Sequence, residues 1–237
     1  MKIKKNITTV NCRKIADRKI KYIVIHYTAG KSDYEGAAYD NTRYFKDTYR
    51  GASAHYFVDC GDTIWQCVED DMVAWHAGEK TAYSSSAPYN GKCTNSNSIG
   101  VEMVSHFVNN NYAISDKTLD NASELCAYLL KKYSLGPDRL ICHFDVTNKH
   151  CPMPFITNNK KNSLWDKFIK NVEDKMVEKR EVNFSDIKNH WAKKYIDKLF
   201  DYGIVSGDDN GNFRPDEPIT RAEAAKMVSN ALLILGK

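Results

Sequence analysis

The sequence predicts an α/β domain followed by a small all-α module. Short apolar runs alternate with amphipathic segments over the first two thirds of the chain, which indicates a central mixed β-sheet flanked by helices. Beyond residue 183 a helix-loop-helix pattern replaces them. We therefore expect the α/β domain over residues 1–170, a charged linker or helix extension over 171–183, and the helical module over 184–237.

The first half of the predicted domain contains the central strands. Residues 22–27 (YIVIHY) form a continuous apolar run, which is typical of a buried strand. Residues 36–49 have the spacing of a helix, and residues 54–68 have the pattern of a hairpin with a glycine-containing turn. Residues 98–104 (SIGVEMV) form another apolar run and predict a second buried strand.

The second half of the domain adds a loop and two helices. Residues 80–97 are polar and rich in turn-forming residues, so we predict a loop there. Residues 116–133 carry apolar side chains at helical spacing. A short strand over 139–143 follows, and a last helix is predicted to begin within 164–169.

Three potential metal ligands lie at the ends of these elements. His26 is near the end of the first buried strand, and His143 and Cys151 lie in the segment ICHFDVTNKHCP. Two imidazoles and a thiolate are a sufficient protein ligand set for a catalytic Zn²⁺. Their wide separation predicts a site assembled by the fold, because a zinc finger needs closely paired ligands and no C-x-x-C occurs. Structural roles are the alternative, since a lone histidine or cysteine is more often part of a core.

Composition argues against several other classes. The formal net charge of +4 comes from the first 170 residues, without a dense basic stripe or a nucleic-acid motif, so we expect no nucleic-acid partner. No apolar stretch approaches the roughly 20 residues of a membrane span. The seven cysteines are irregularly spaced and indicate no disulfide framework, although Cys60 and Cys67 flank the predicted hairpin.

Five segments occur in the order seen in a known enzyme family. KYIVIHYTAG, SAHYFVD, AWHAG, NSNSIGVEMV and HFDVTNKHCP resemble the zinc amidases of the N-acetylmuramoyl-L-alanine amidase family, which are related to the peptidoglycan recognition proteins. The resemblance covers about residues 18–170. It implies His26, His143 and Cys151 as ligands of Zn²⁺ and peptidoglycan as the substrate. The bond cleaved would be the amide between the lactyl group of N-acetylmuramic acid and L-alanine.

The resemblance also implies roles for residues around the ligands. Glu102, a carboxylate in an otherwise apolar strand, would be the general base, with a structural ion pair as the alternative. Lys149 would stabilise the oxyanion. Other family members use a tyrosine where this chain has Ala54, so that role is absent. The expected substrate contacts are Trp75, His76 and Asn97. For His76 a structural role is equally compatible with the sequence.

Residues 184–237 resemble a different family. FSDI, HWAKKYIDKL, GIVSG and GNFRPDEPITRAE match one S-layer homology motif. That family usually carries three tandem motifs, which bind secondary cell-wall polysaccharide. A single motif cannot bury its apolar face, so we expect a homotrimer, with packing on the first domain as the alternative. The expected polymer ligands are Asp186, Trp191, Arg221 and Glu223. For Arg221 a salt bridge at a helix N-terminus is the alternative.

Other interpretations explain fewer of these motifs. A non-catalytic peptidoglycan-binding protein on the same fold would usually lack the ligand at Cys151. A structural surface-layer protein would account only for residues 184–237, and a lysozyme-like glycosidase needs a pair of acidic residues that we do not find.

The N-terminus suggests how such an enzyme would reach its substrate. It is basic but has no apolar core of a secretory signal peptide. We therefore expect synthesis in the cytoplasm and access to the wall through holin-type release or lysis. This route is typical of a phage or prophage endolysin acting on Gram-positive cell wall, and a host autolysin is the alternative.

Overall fold

The computed structural model of the protein describes residues 1–78, 84–177, 184–208 and 210–234. It contains two compact units, Met1–Met176 and Val177–Lys237. The strands are β1 (Lys2–Lys5), β2 (Cys12–Lys14), β3 (Tyr22–Tyr27), β4 (Tyr56–Val58), β5 (Thr63–Gln66), β6 (Met72–Ala74), β7 (Ser98–Met103), β8 (His106–Val108), β9 (Asn111–Ala113), β10 (Leu140–Cys142), β11 (Ile156–Thr157) and β12 (Lys160–Lys161). The α-helices are α1 (Ala37–Lys46), α2 (Asp116–Lys132), α3 (His143–Thr147), α4 (Ser163–Met176), α5 (Lys193–Asp201) and α6 (Arg221–Ile234).

A six-stranded mixed sheet forms the centre of the first unit, which confirms the predicted fold class. Its strand order is β1-β5-β4-β7-β3-β10. Within this sheet β4 and β5 are antiparallel, as expected for the predicted hairpin, and the other neighbouring pairs are parallel. Cys60, in the turn between β4 and β5, and Cys67, directly after β5, are free thiols.

Strand β3 is buried on both faces, and alternate side chains join different cores. Ile23 and Ile25 pack in the cluster that contains the apolar face of α2, whereas Val24 belongs to a second cluster with Tyr22. Because side chains alternate along a strand, His26 shares the face of Val24. The first candidate ligand therefore lies at the carboxyl end of β3, on the face opposite α2.

Two helices cover the sheet from the α2 side. Ser115 caps α2 by accepting a hydrogen bond from the backbone N–H of Thr118. Helix α4 packs against α2 and buries Trp165, Phe168 and Val172 at helical spacing. It continues to Met176, so the first part of the predicted 171–183 segment is helical. Residues 178–183 lie outside the described part of the chain.

The second unit is a helix-loop-helix built around a small aromatic cluster. Phe184 packs against Phe200 and Phe213. A Cβ at position 207 would collide with the Phe184 ring, which explains the glycine there. Thr220 and Glu223 exchange hydrogen bonds at the start of α6, as in a capping box. Among the described residues of both units, no helix has the length and apolarity needed to cross a membrane.

Candidate metal centre

The sheet brings the three predicted ligands together. In the register of β3 and β10, Cys142 lies beside Ile25, so the next residue, His143, comes level with His26. His143 opens helix α3, which ends at Asn148 in a left-handed conformation. The chain then turns back, and the Cys151 carbonyl accepts a hydrogen bond from the Phe144 backbone N–H. This turn returns Cys151 to the two histidines.

The three side chains form a compact buried cluster. The potential ligand atoms of His26, His143 and Cys151 all lie within 4.8 Å of one another. Nδ1 of His26 is 3.6 Å from Sγ of Cys151, and the two imidazole ring centroids are 4.7 Å apart. Each residue is at most 4% exposed. The cluster could therefore hold a metal ion, and the protein would shield its three ligands from solvent.

The local electrostatics favour the metal-binding form of His26. Burial lowers the pKa of His26 well below its ordinary value, and the neighbouring His143, His76 and Lys149 lower it further. Its imidazole is therefore neutral at physiological pH. Neutral imidazole is the form that binds metal ions.

Glu102 lies directly beside His26 across the parallel pair of β3 and β7. Its Oε2 is inaccessible to solvent, and the described residues offer it neither a hydrogen bond nor a salt bridge. Burial raises the pKa of Glu102 to about 7, although the positive charge of Lys149 lowers it in part. Lys149 is the charged neighbour that acts on Glu102, so an ion pair between these two residues remains the alternative to a catalytic base. A carboxylate that titrates near neutrality is suited to proton transfer.

Lys149 is close enough to both groups to shift their titration. Its backbone N–H donates to the Thr147 hydroxyl just after α3. Its charge lowers the pKa of His26 and of Glu102. Its charge therefore acts on both the predicted base and a predicted ligand.

The predicted substrate contacts have different surroundings. Trp75 is half-buried and makes an edge-on contact with the exposed Tyr49, with ring centroids 5.8 Å apart. Both ring nitrogens of His76 face protein groups, Nδ1 toward His26 and Nε2 toward Ser98, so the structure favours a supporting role over substrate contact. The Asn97 amide bonds to the backbone of Thr94 and Lys92, which stabilises the turn before β7.

Sequence reasoning missed several residues around the ligands. Ser98 and Asn95 hold His76, and the only signal was their position before the apolar part of β7. Tyr27, which directly follows His26, has its pKa raised to about 12 by burial and by the nearby Cys151 thiol. Ala54, which occupies the position of the tyrosine found in other family members, is buried in a cluster with Phe57.

The predicted polymer ligands of the second unit also divide into two groups. The Asp186 carboxylate accepts hydrogen bonds from the Phe213 and Arg214 backbone, and Glu223 is occupied in the capping box. These two side chains therefore stabilise the module itself. Trp191 is 78% exposed, and Arg221 forms no ion pair within the described ranges.

Imidazoles, a cysteine sulfur and a partly buried carboxylate are groups with which metallohydrolases bind a metal and activate water. The first unit thus has the fold and the candidate site of a metal-dependent hydrolase. Comparison with known proteins gives the family. Residues 16–154 match the N-acetylmuramoyl-L-alanine amidase family, and residues 183–225 match the S-layer homology domain.

Individual relatives agree with these matches. A probable N-acetylmuramoyl-L-alanine amidase of Bacillus licheniformis is 37% identical over 153 residues, which are 62% of this chain and 40% of the relative. The amidase CwlL of the same organism is 35% identical over 173 residues, 70% of this chain and 46% of the relative. The catalytic domain of XlyA superposes with a TM-score of 0.55 at 24% identity, covering 73% of this chain and 99% of that domain, and this likeness concerns the fold alone.

The chain therefore belongs to the N-acetylmuramoyl-L-alanine amidase family and carries one S-layer homology domain. It spans less than half the length of the two curated relatives.

Proposed function

We propose that the chain is a zinc-dependent amidase that hydrolyses the bond between the lactyl group of N-acetylmuramic acid and L-alanine in peptidoglycan. The observation that carries the proposal is the buried cluster of His26, His143 and Cys151 with Glu102 beside it. Tetrahedral zinc with nitrogen and sulfur ligands separates the ligand atoms by roughly 3.3–3.8 Å. The 3.6 Å between His26 Nδ1 and Cys151 Sγ falls in this range. The names of the curated relatives support the substrate.

The residues around the ligands supply the remaining chemistry. Bound zinc would polarise the scissile carbonyl and lower the pKa of the attacking water to about 7. Glu102 would serve as the general base that takes a proton from the attacking water and passes it to the leaving amine, a role for which a pKa of about 7 is well matched. Lys149 stabilises the negative charge that develops on the carbonyl oxygen. The pair of Trp75 and Tyr49 offers aromatic surface for a sugar ring.

Product analysis on purified Gram-positive cell walls tests the proposal. The wild-type protein should release new N-terminal L-alanine without new reducing sugar, and chelation should abolish this release until zinc is restored. Cys151→Ser should be inactive, whereas Cys60→Ser, a partly exposed cysteine outside the cluster, should behave as wild type. New reducing sugar, or release that survives both chelation and Cys151→Ser, would refute a zinc amidase.

A non-catalytic peptidoglycan-binding protein is the competing function. It would retain binding to walls but release no amine in any variant, even with added zinc. Glu102 favours the enzyme, since binding alone does not explain a carboxylate oxygen buried next to a metal-ligand cluster.

The second unit supports a further part of the proposal, binding to the wall and self-association. Helix α6 is largely exposed, with Val228 60% and Leu232 42% accessible, and Trp191 is exposed as well. A homotrimer through this unit would cover the apolar side chains and add multivalent attachment to wall polysaccharide. Sedimentation of the full chain should show a trimer that Val228→Lys dissociates, and Trp191→Ala should weaken pelleting with walls. A monomeric wild-type chain would refute the trimer.

The biological role that we propose is lysis of Gram-positive cells, with a phage or prophage endolysin preferred over a host autolysin. The Bacillus origin of the curated relatives supports this choice of wall. Purified protein added to a suspension of Gram-positive cells should lower the turbidity of the suspension as the cells lyse. Unchanged turbidity at concentrations that digest isolated walls would count against a lytic role.

A further inference from the structure

We propose that His76, Ser98 and the Thr94 carbonyl form a hydrogen-bond relay that selects the tautomer of the ligand His26. His76 and Ser98 are thus positioning residues for the metal centre. This inference rests on the proposed zinc site but concerns residues that do not touch the metal. A continuous chain of polar contacts starts at Nε2 of His26, the ring nitrogen that faces away from Cys151.

The direction of each hydrogen bond follows from the outermost partner inward. The Ser98 hydroxyl donates its single proton to the Thr94 carbonyl at 2.6 Å. Its oxygen therefore accepts from Nε2 of His76, 3.2 Å away, so the His76 proton is on Nε2. Nδ1 of His76 is then an acceptor, and Nε2 of His26 at 3.0 Å must donate to it. The remaining lone pair of His26 is on Nδ1, which is the atom that faces Cys151 Sγ.

The surroundings of His76 hold it in this orientation. Its backbone N–H and that of Ala77 both donate to the Asn95 side-chain oxygen, at 2.9 and 2.7 Å. On the sheet side, Gly100 leaves just enough room for the ring, since a Cβ there would lie 2.6 Å from His76 Cγ. The ring is enclosed and only 9% exposed. Such outer partners usually orient a ligand histidine and tune its affinity for metal.

A pair of nearly isosteric variants separates the relay from simple packing. His76→Asn retains an acceptor near the position of Nδ1, whereas His76→Leu removes it with little change in volume. Ser98→Ala removes the hydroxyl that accepts from His76 Nε2, and it leaves the Ser98 backbone carbonyl as the weaker remaining acceptor for that tautomer. The affinity for zinc, measured by competition with a chromophoric chelator, should fall about 10- to 100-fold in His76→Leu and about 10-fold in Ser98→Ala. His76→Asn should stay within about threefold of wild type.

Nitrogen-15 spectra of histidine-labelled protein give a second readout that does not depend on activity. In the wild type without metal, His26 and His76 should both be protonated on Nε2, and Ser98→Ala should shift this pattern. Protonation of His26 on Nδ1, or equal zinc affinity of His76→Leu and His76→Asn, would overturn the relay. Failure of the wild type to bind zinc would instead overturn the proposed metal centre, whatever the tautomers are.

Discussion

A single added methyl group at Gly100 should disturb the proposed metal centre without changing any of its candidate ligands. In Gly100→Ala the new Cβ would lie 2.6 Å from Cγ of His76 and 2.9 Å from its Nδ1. Ordinary contacts need at least about 3.4 Å, so the ring or the strand must move by almost 1 Å. Overpacking of this kind typically costs about 1–3 kcal/mol of folding free energy. Moving the ring also strains its 3.0 Å hydrogen bond with His26.

Two measurements on Gly100→Ala check this reasoning. Urea unfolding of the metal-free protein should show a loss of about 1–3 kcal/mol, and the zinc Kd should rise by about tenfold. Gly78→Ala is the matched control, because within the described residues its Cβ would meet only the Asn95 side chain, at 3.4 Å. If both variants show the same stability and zinc affinity as the wild type, the sheet relaxes around the methyl group and the argument from close packing is refuted.

Three other predictions concern the base, the oxyanion and a buried histidine. Glu102→Gln should lower kcat at least about 100-fold with little change in zinc affinity, and an unchanged rate of amine release would exclude it as the base. Lys149→Met should lower kcat/KM by about 100-fold on isolated walls, whereas a purely solvated lysine would leave it unaltered. Burial lowers the pKa of His55 to about 3, against about 6.5 when unfolded, so the unfolded chain binds more protons in acid. The metal-free protein should therefore lose about 2 kcal/mol through His55 between pH 7 and pH 5, with the loss continuing toward pH 3.

The hydrogen bond of His55 suggests a control variant for the pH prediction. Nδ1 of His55 accepts from the Gly100 backbone N–H at 3.0 Å, so a proton there would remove this bond. His55→Asn offers an acceptor in a similar place but does not titrate. Between pH 7 and pH 5 the unfolding free energy of His55→Asn should fall by about 2 kcal/mol less than that of the wild type. If both proteins lose stability in parallel, the low pKa of His55 is not the cause of the loss.

Most of the elements could be predicted because their signals are local. The apolar run of β3 and the helical spacing of α2 are properties of consecutive residues, and both elements end within a residue or two of the predicted bounds. The end of α4 was not fixed by the sequence, which left residues 171–183 as either a linker or a helix extension. In the structure the helix extends through the first part of this charged segment to Met176. Val172 is fully buried in the core of the first unit and Met176 packs against the same core, so these two apolar residues stabilise the extension.

The candidate ligands were also evident from the chain, but the roles of their neighbours were not. His26, His143 and Cys151 stand out by residue type and by the motifs around them, and the fold brings them together. For His76 the sequence left a substrate contact and a structural role equally open, because it cannot show what the ring nitrogens face. Its partners, Ser98 and His26, are 22 and 50 residues away in the chain.

Strand β1 at the edge of the sheet was not predicted, whereas the sequence alone establishes the family, five of the six strands of the central sheet, the larger helices and the chemical types at the candidate site. Those features depend on periodicity and on short motifs, which neighbouring residues encode. The folded structure was needed to show that Glu102 lies beside His26, that Gly100 makes room for His76, and that Asp186 stabilises its own module. These facts depend on strand register and on side-chain packing between distant segments, where a shift of one residue would turn each side chain to the other face.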